Sequence, residues 1–216
     1  MMRALETFLA PGRYIDSRHP AVRAFARAHA EGATEIERAV ALYYAVRDGI
    51  RYNPFLDFSN DAPFRASACL ARGEGFCVGK AALLSACARA EGIPARVGFA
   101  DVKNHLTTPA LRERMGTDLF IYHGFSELYL ERKWVKATPA FNRELCERFR
   151  VKPLEFDGCS DSIFHPFDEE DRRHMEYVRE RGSFADVPAA EIQRAFRELY
   201  PPLYNLRKDA AKERFG

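Results

Sequence analysis

The segment Gly73-Glu74-Gly75-Phe76-Cys77 sets a thiol directly ahead of a run of small and apolar residues, Cys77 to Ala90. Two glycines let the backbone bend tightly and let a ligand come close to it. A thiol in the first turn of a helix feels the positive end of the helix dipole and unpaired amides, which favour the thiolate. The same amides can donate to an oxyanion when that thiolate attacks a carbonyl. Position alone does not separate such a residue from a small buried hydrophobe, which is what most free cysteines are. Cys69 and Cys87 sit among Ala and Leu with no glycine lead-in and read as packing, while Cys146 and Cys159 lie in the weakly patterned C-terminal third and carry no assigned role. A nucleophilic thiol needs a base. Of the six histidines, His123 is the best placed, at the head of a strand whose alternation puts Phe125, Glu127 and Tyr129 on its own face. A rigid strand can aim such a ring at a helix N-terminus packed against its sheet.

Other candidates read more simply as structure. Tyr52, after Gly49-Ile50-Arg51, suits a core tyrosine under the central helix better than a role beside an oxyanion. Asn104-His105 opens a long polar loop, where a solvated histidine is the simpler reading. Asp161-Ser162-Ile163-Phe164-His165-Pro166 holds the residue types of a hydrolase triad, but so close in sequence they do not meet in triad geometry, and the segment reads as a turn or cleft wall. Glu169-Glu170-Asp171-Arg172-Arg173 reads as a solvated helix face.

The elements that must position Cys77 and His123 follow from period and punctuation. Pro20 to Gly32 has helical spacing, and Thr34-Glu35-Ile36-Glu37 is a capping box opening a helix to about Asp48. Ala66 to Ala71 predicts a short helix before Gly73. Cys77 to Ala90, apolar on nearly every side and ended by Gly92-Ile93-Pro94, predicts a buried central helix. Period then changes to that of strands at 95–100, 119–130 and 133–138, the last two joined by a charged turn at Glu131-Arg132, with a polar excursion from Asn104 to Asp118. Helices are expected at about 143–149, 168–180 and 189–200. Helices, then a meander of strands, then helices argue an α+β domain with an antiparallel sheet.

Composition limits what this domain does. With 216 residues, 47% of them apolar, the chain can bury a core without staples. Lys plus Arg (33) nearly cancel Asp plus Glu (31), so the balance offers no field for nucleic acid. Five cysteines, an odd number without a CxxC pair, disfavour a disulfide framework and a structural zinc site. No DxDxDG pattern suggests a calcium loop. No apolar run is long enough to span a membrane. The N-terminus lacks the continuous apolar stretch of a secretion signal, so the expected compartment is the cytoplasm.

Taken together, Gly75-Phe76-Cys77 with its Ala-rich helix, Glu91-Gly92-Ile93-Pro94-Ala95-Arg96-Val97, Tyr122-His123-Gly124-Phe125-Ser126-Glu127-Leu128-Tyr129-Leu130 and Lys133-Trp134-Val135 resemble the core of the transglutaminase-like superfamily, over roughly Ala39 to Asn142. The resemblance implies a papain-like arrangement, a central helix packed on a small antiparallel sheet, with residues 1–216 as one domain carrying N- and C-terminal helical decoration. It matches Cys77 to the nucleophile and His123 to the general base of a thiol-dependent hydrolase or acyltransferase acting on amide bonds of a peptide or protein, without a cofactor or metal. The family usually places Asp before a Pro on the strand after the His; here Trp134-Val135-Lys136-Ala137-Thr138-Pro139 puts Thr138 at that position. A hydroxyl can hold the ring but has no charge with which to stabilise an imidazolium. Three accounts follow: Thr138 or Asn142 orients the ring through a neutral hydrogen bond; Asp101, Asp161 or Glu127 substitutes as the carboxylate; or the domain is a weakened or inactive, binding member of the family.

Overall fold

In a computed structural model of the chain, residues 5–104, 109–164 and 175–201 are described. His105, His165, Pro166 and the charged run 169–173 lie outside them. Helix α1 spans Pro20–His29 and α2 spans Glu35–Gly49. The capping box forms: Glu37 N donates to Thr34 Oγ1 at 3.2 Å, and the Glu37 carboxylate accepts from the amides of Thr34 and Ala33.

A two-residue strand β1 (Arg51–Tyr52) pairs in parallel with β2 (Glu74–Gly75), the two flanking helix α3 (Ala66–Arg72). Tyr52 lies opposite Gly75, two residues ahead of Cys77. A Cβ on Gly75 would come within 2.5 Å of the Cys69 sulfur, so this turn needs glycine and Cys69 is its packing partner.

Helix α4 (Cys77–Ala90) is buried from Cys77 to Arg89, as its all-round apolar sequence predicts. Two cations, Lys80 and Arg89, are buried with it. Lys80 donates through Nζ to the carbonyls of Arg47 (2.8 Å) and Ile50 (2.5 Å) at the end of α2, satisfying acceptors that the helix terminus leaves open. Burial holds the Lys80 ammonium down at about 7.

The sheet comprises β3 (Ala95–Asn104), β4 (Leu119–Leu130), β5 (Lys133–Ala137) and β6 (Met175–Phe184), antiparallel in the order β5-β4-β3-β6. Glu131 and Arg132 both take positive φ (45° and 67°), as a two-residue hairpin turn requires. Ser126 Oγ donates to the Ala81 carbonyl at 2.8 Å, tying β4 to α4.

Two expectations are corrected. The excursion after β3 contains a helix, α5 (Pro109–Met115). Residues 175–180, read as the end of a helix, are part of strand β6 instead. They carry the charges of a solvated helix face, but ladder hydrogen bonds to β3 are available there, and charged side chains suit an exposed sheet edge. Helices α6 (Arg143–Phe149) and α7 (Ala189–Leu199) close the fold. Among the described residues no helix is long and apolar enough to cross a membrane.

Candidate active site

The N-cap of α4 is Phe76, which offers no side-chain cap, so the first-turn amides have no local competitor. The amides of Cys77 and Val78 are directed at the Cys77 sulfur, joined by the Gly124 amide from β4. Strand and helix meet closely here. A Cβ on Gly124 would lie 2.9 Å from Val78 Cα and 3.1 Å from its Cγ2, so only glycine allows β4 to come this near. β5 covers β4 only over Ser126–Leu130, leaving the upstream part of β4 free of that partner and able to meet the first turn of α4. His123, one residue before Gly124, consequently lines the same pocket as Cys77.

The approach is set by an irregular stretch of β4. Its register against β3 shifts between Ala100 and Val102, and Tyr122 adopts φ 53°, a left-handed conformation uncommon for a residue with a side chain. Asp101, at the bulge in β3, accepts the Tyr122 amide at 3.1 Å and Arg181 Nε at 2.5 Å, and the Arg181 guanidinium lies 4.1 Å over the Tyr122 ring. The Tyr122 hydroxyl donates to Glu191 of α7. The residue ahead of His123 is thus fastened at backbone, ring and hydroxyl.

The electrostatics differ from those of an activated thiolate. Cys77 is 8% exposed, and burial outweighs the three amides, pushing its thiol up to about 11. Burial alone brings the His123 imidazole down to about 4. Burial disfavours the charged form of both groups and so favours a neutral thiol beside a neutral imidazole in the resting site.

His123 Nε2 is buried and has no hydrogen-bond partner among the described residues. Thr138 Oγ1 donates instead to the Ser162 carbonyl at 2.8 Å. Asn142 Oδ1 accepts the Tyr52 amide, Asp101 is engaged by Tyr122 and Arg181, Glu127 by Arg96, and Asp161 by the Lys136 amide. None of the five hydrogen-bonds to the ring. Its neighbour is Phe164, 5.0 Å between ring centroids, on the segment that bridges Ala137 through Ser162. That segment, read from sequence as a turn or cleft wall, packs against the imidazole.

The pocket at the thiol is a small, partly open recess with a cavity volume of about 40 Å³. Of its lining the sequence singled out Cys77 and His123 as site residues; Tyr52, read as a core tyrosine, is buried and also lines the pocket, and Phe58, Leu111, Met115, Ile121, Phe196 and Tyr200 were missed. One signal was present: Ile192, Phe196 and Tyr200 recur every four residues, a helical face that must pack on something. All five cysteines are free, with Cys69, Cys87 and Cys146 buried and Cys159 exposed. No group of three His, Cys, Asp or Glu side chains suited to a metal occurs among the described residues.

The solved structures to which this chain is similar are distant. A candidate cysteine protease from Cytophaga hutchinsonii is 17% identical, with 84% of this chain and 54% of that one aligned, at a TM-score of 0.48. A candidate protease from Parabacteroides distasonis is 18% identical over 62% and 25% of the two chains, at a TM-score of 0.41. A TGase structure is 16% identical over 92% and 50%, at 0.40. The chain thus spans about half or less of the length of these proteins. No curated protein matches. The family model of the transglutaminase-like superfamily core matches residues 23–139, more than half of the chain, a range that takes in α4 with its thiol and strands β3, β4 and β5 with the β4 histidine. This chain belongs to the transglutaminase-like superfamily.

Proposed function

We propose that the domain is a thiol-dependent amide hydrolase or acyltransferase with Cys77 as nucleophile and His123 as general base. The observation that carries this is the shared pocket of the two side chains at the uncapped N-terminus of α4, with the Gly124 amide directed at the sulfur. Because burial favours a neutral resting pair, proton transfer accompanies attack. The Cys77 proton passes to the imidazole as sulfur bonds to the carbonyl carbon of an amide or ester, and the first-turn amides receive the developing oxyanion. The imidazolium returns that proton to the leaving group as the carbon–nitrogen or carbon–oxygen bond breaks, leaving a Cys77 thioester. Water or an amine then attacks the thioester, gives its proton to His123, and the thiol is regenerated. The fitting substrate class is a peptide or protein amide. Thr138 is the third residue of this reading: it occupies the strand-end position of the family's orienting group without a charge, so imidazolium formation is stabilised little and turnover should be slow.

Intact-mass spectrometry during exposure to an activated ester tests the reading. An acyl adduct should appear on Cys77, be absent in Cys77→Ala, and form far more slowly in His123→Ala. Adduct formation or hydrolysis at an unchanged rate in Cys77→Ala would sink it. The partnerless Nε2 of His123 favours a second reading, a binding domain that has kept the fold; under it, His123→Ala would leave Cys77 acylation at the wild-type rate.

A further inference from the structure

The lining of the pocket identifies the chemical class it accepts. No charged side chain faces it among the described residues, and its walls are built chiefly from Phe58, Phe76, Leu111, Met115, Ile121 and Phe196. Phe58, Phe76 and Phe196 form one aromatic cluster, with Phe58 lying 4.8 Å from Phe76 and 5.3 Å from Phe196 between ring centroids. Tyr200, which also lines it, has its hydroxyl spent inside the fold, accepting the Ile121 amide at 2.7 Å and donating to the Leu119 carbonyl at 2.6 Å. A carboxamide or charged group entering this space would lose its water and find few replacement partners, a penalty that an aliphatic or aromatic group escapes. The order of bond making in a thioester mechanism says which part of the substrate belongs here. The leaving group must depart before the second nucleophile arrives, whereas the acyl group stays through both steps, so a recess at the sulfur suits the acyl group.

We propose that the pocket beside Cys77 is an acyl-binding site selective for aliphatic or aromatic acyl groups, so that the carbonyl attacked carries an apolar substituent in place of a glutamine-type side chain. The acyl step rests on the function proposed above; occupancy of the pocket does not.

Two measurements on the full chain separate them. In the first, Cys77 and the exposed Cys159 are labelled in one sample with 2-bromoacetamide or N-benzyl-2-bromoacetamide and quantified peptide by peptide. The benzyl reagent should raise the Cys77-to-Cys159 labelling ratio at least about tenfold, given roughly fourfold per buried methylene. An unchanged ratio overturns the proposal, whether or not the protein turns over. In the second, hydrolysis of 4-nitrophenyl acetate, butyrate and methoxyacetate is compared after division by each ester's rate with hydroxide. Butyrate, with two further methylenes, should exceed acetate about 15-fold in kcat/KM, and methoxyacetate should fall well below butyrate. Equal corrected rates would overturn the proposal, while hydrolysis that persists in Cys77→Ala would overturn only the thiol mechanism. Leu111→Gln, of similar length but polar, should lower the benzyl-reagent ratio, and a folded variant with the wild-type ratio would count against the assignment.

Discussion

Titration of Cys77 by alkylation tests the electrostatic picture most directly. A thiol held at about 11 is ionised to about one part in a thousand at pH 8, against about a quarter for an ordinary peptide thiol near 8.5. Cys77 should therefore react with iodoacetamide on the order of 200-fold more slowly at pH 8 than a peptide cysteine, and slower still because only 8% of the residue is exposed. Access lowers the whole curve without changing its shape, so shape is the decisive readout. The rate should rise about tenfold per pH unit from pH 6 to pH 10 with no plateau. Peptide-resolved mass spectrometry at short exposure measures it, with the exposed Cys159 reporting reagent delivery in the same sample. A thiolate–imidazolium pair would give a flat profile across pH 5 to 8. Such a plateau, or labelling of Cys77 as fast as Cys159 at pH 7, would refute the conclusion that burial outweighs the three amides.

Four further outcomes are expected. Thr138→Asp puts a carboxylate at the strand end of β5, so the His123 imidazole should titrate above its present value of about 4 by NMR and Cys77 should alkylate at least tenfold faster at pH 7; an unmoved imidazole would show that this position does not reach the ring. Gly124→Ala drives a methyl to within 2.9 Å of Val78 Cα and should cost roughly 1–3 kcal/mol in urea unfolding while slowing acylation of Cys77; wild-type stability would refute the close approach. Asp101→Ala strips Arg181 and the Tyr122 amide of their shared acceptor and should cost on the order of 3 kcal/mol, since the Arg181 side chain retains 20% exposure, with lost acylation as the bulge relaxes. Finally, His123 binds a proton at about 4 when folded and near 6.5 when unfolded, so between those values the unfolded chain holds more protons and stability falls as pH drops; roughly 3 kcal/mol of acid sensitivity should vanish in His123→Gln, measured as the difference between the two unfolding profiles.

The parts of the fold legible in the sequence are those whose signals are local. The bounds of α4 follow from an apolar run closed by Gly92-Ile93-Pro94, the capping box of α2 from Thr34 and Glu37, and the β4–β5 hairpin from two alternating runs around Glu131-Arg132. Strand β6 was not legible as a strand, because Glu176, Arg179 and Glu180 suit an exposed helix equally well and only the free edge of β3 selects the extended form. Nothing local marks Tyr122 for a left-handed backbone either. That conformation depends on Asp101 and Arg181, which lie 80 residues apart in sequence.

The candidate site divides along the same line. By itself the sequence determined which thiol follows a glycine-led turn into a buried helix and that His123 belongs to a strand, because these are matters of residue type and short-range order; that Thr138 stands where relatives usually carry a carboxylate is implied by the family resemblance. Only the tertiary structure decided that Cys77 and His123 line one apolar recess, that burial outweighs the helix terminus and disfavours the charged form of both groups, and that Asp101, Asp161 and Glu127 are spent elsewhere. The physical reason is that desolvation and partner choice depend on every atom packed around a group, and most of those atoms belong to residues distant in the chain.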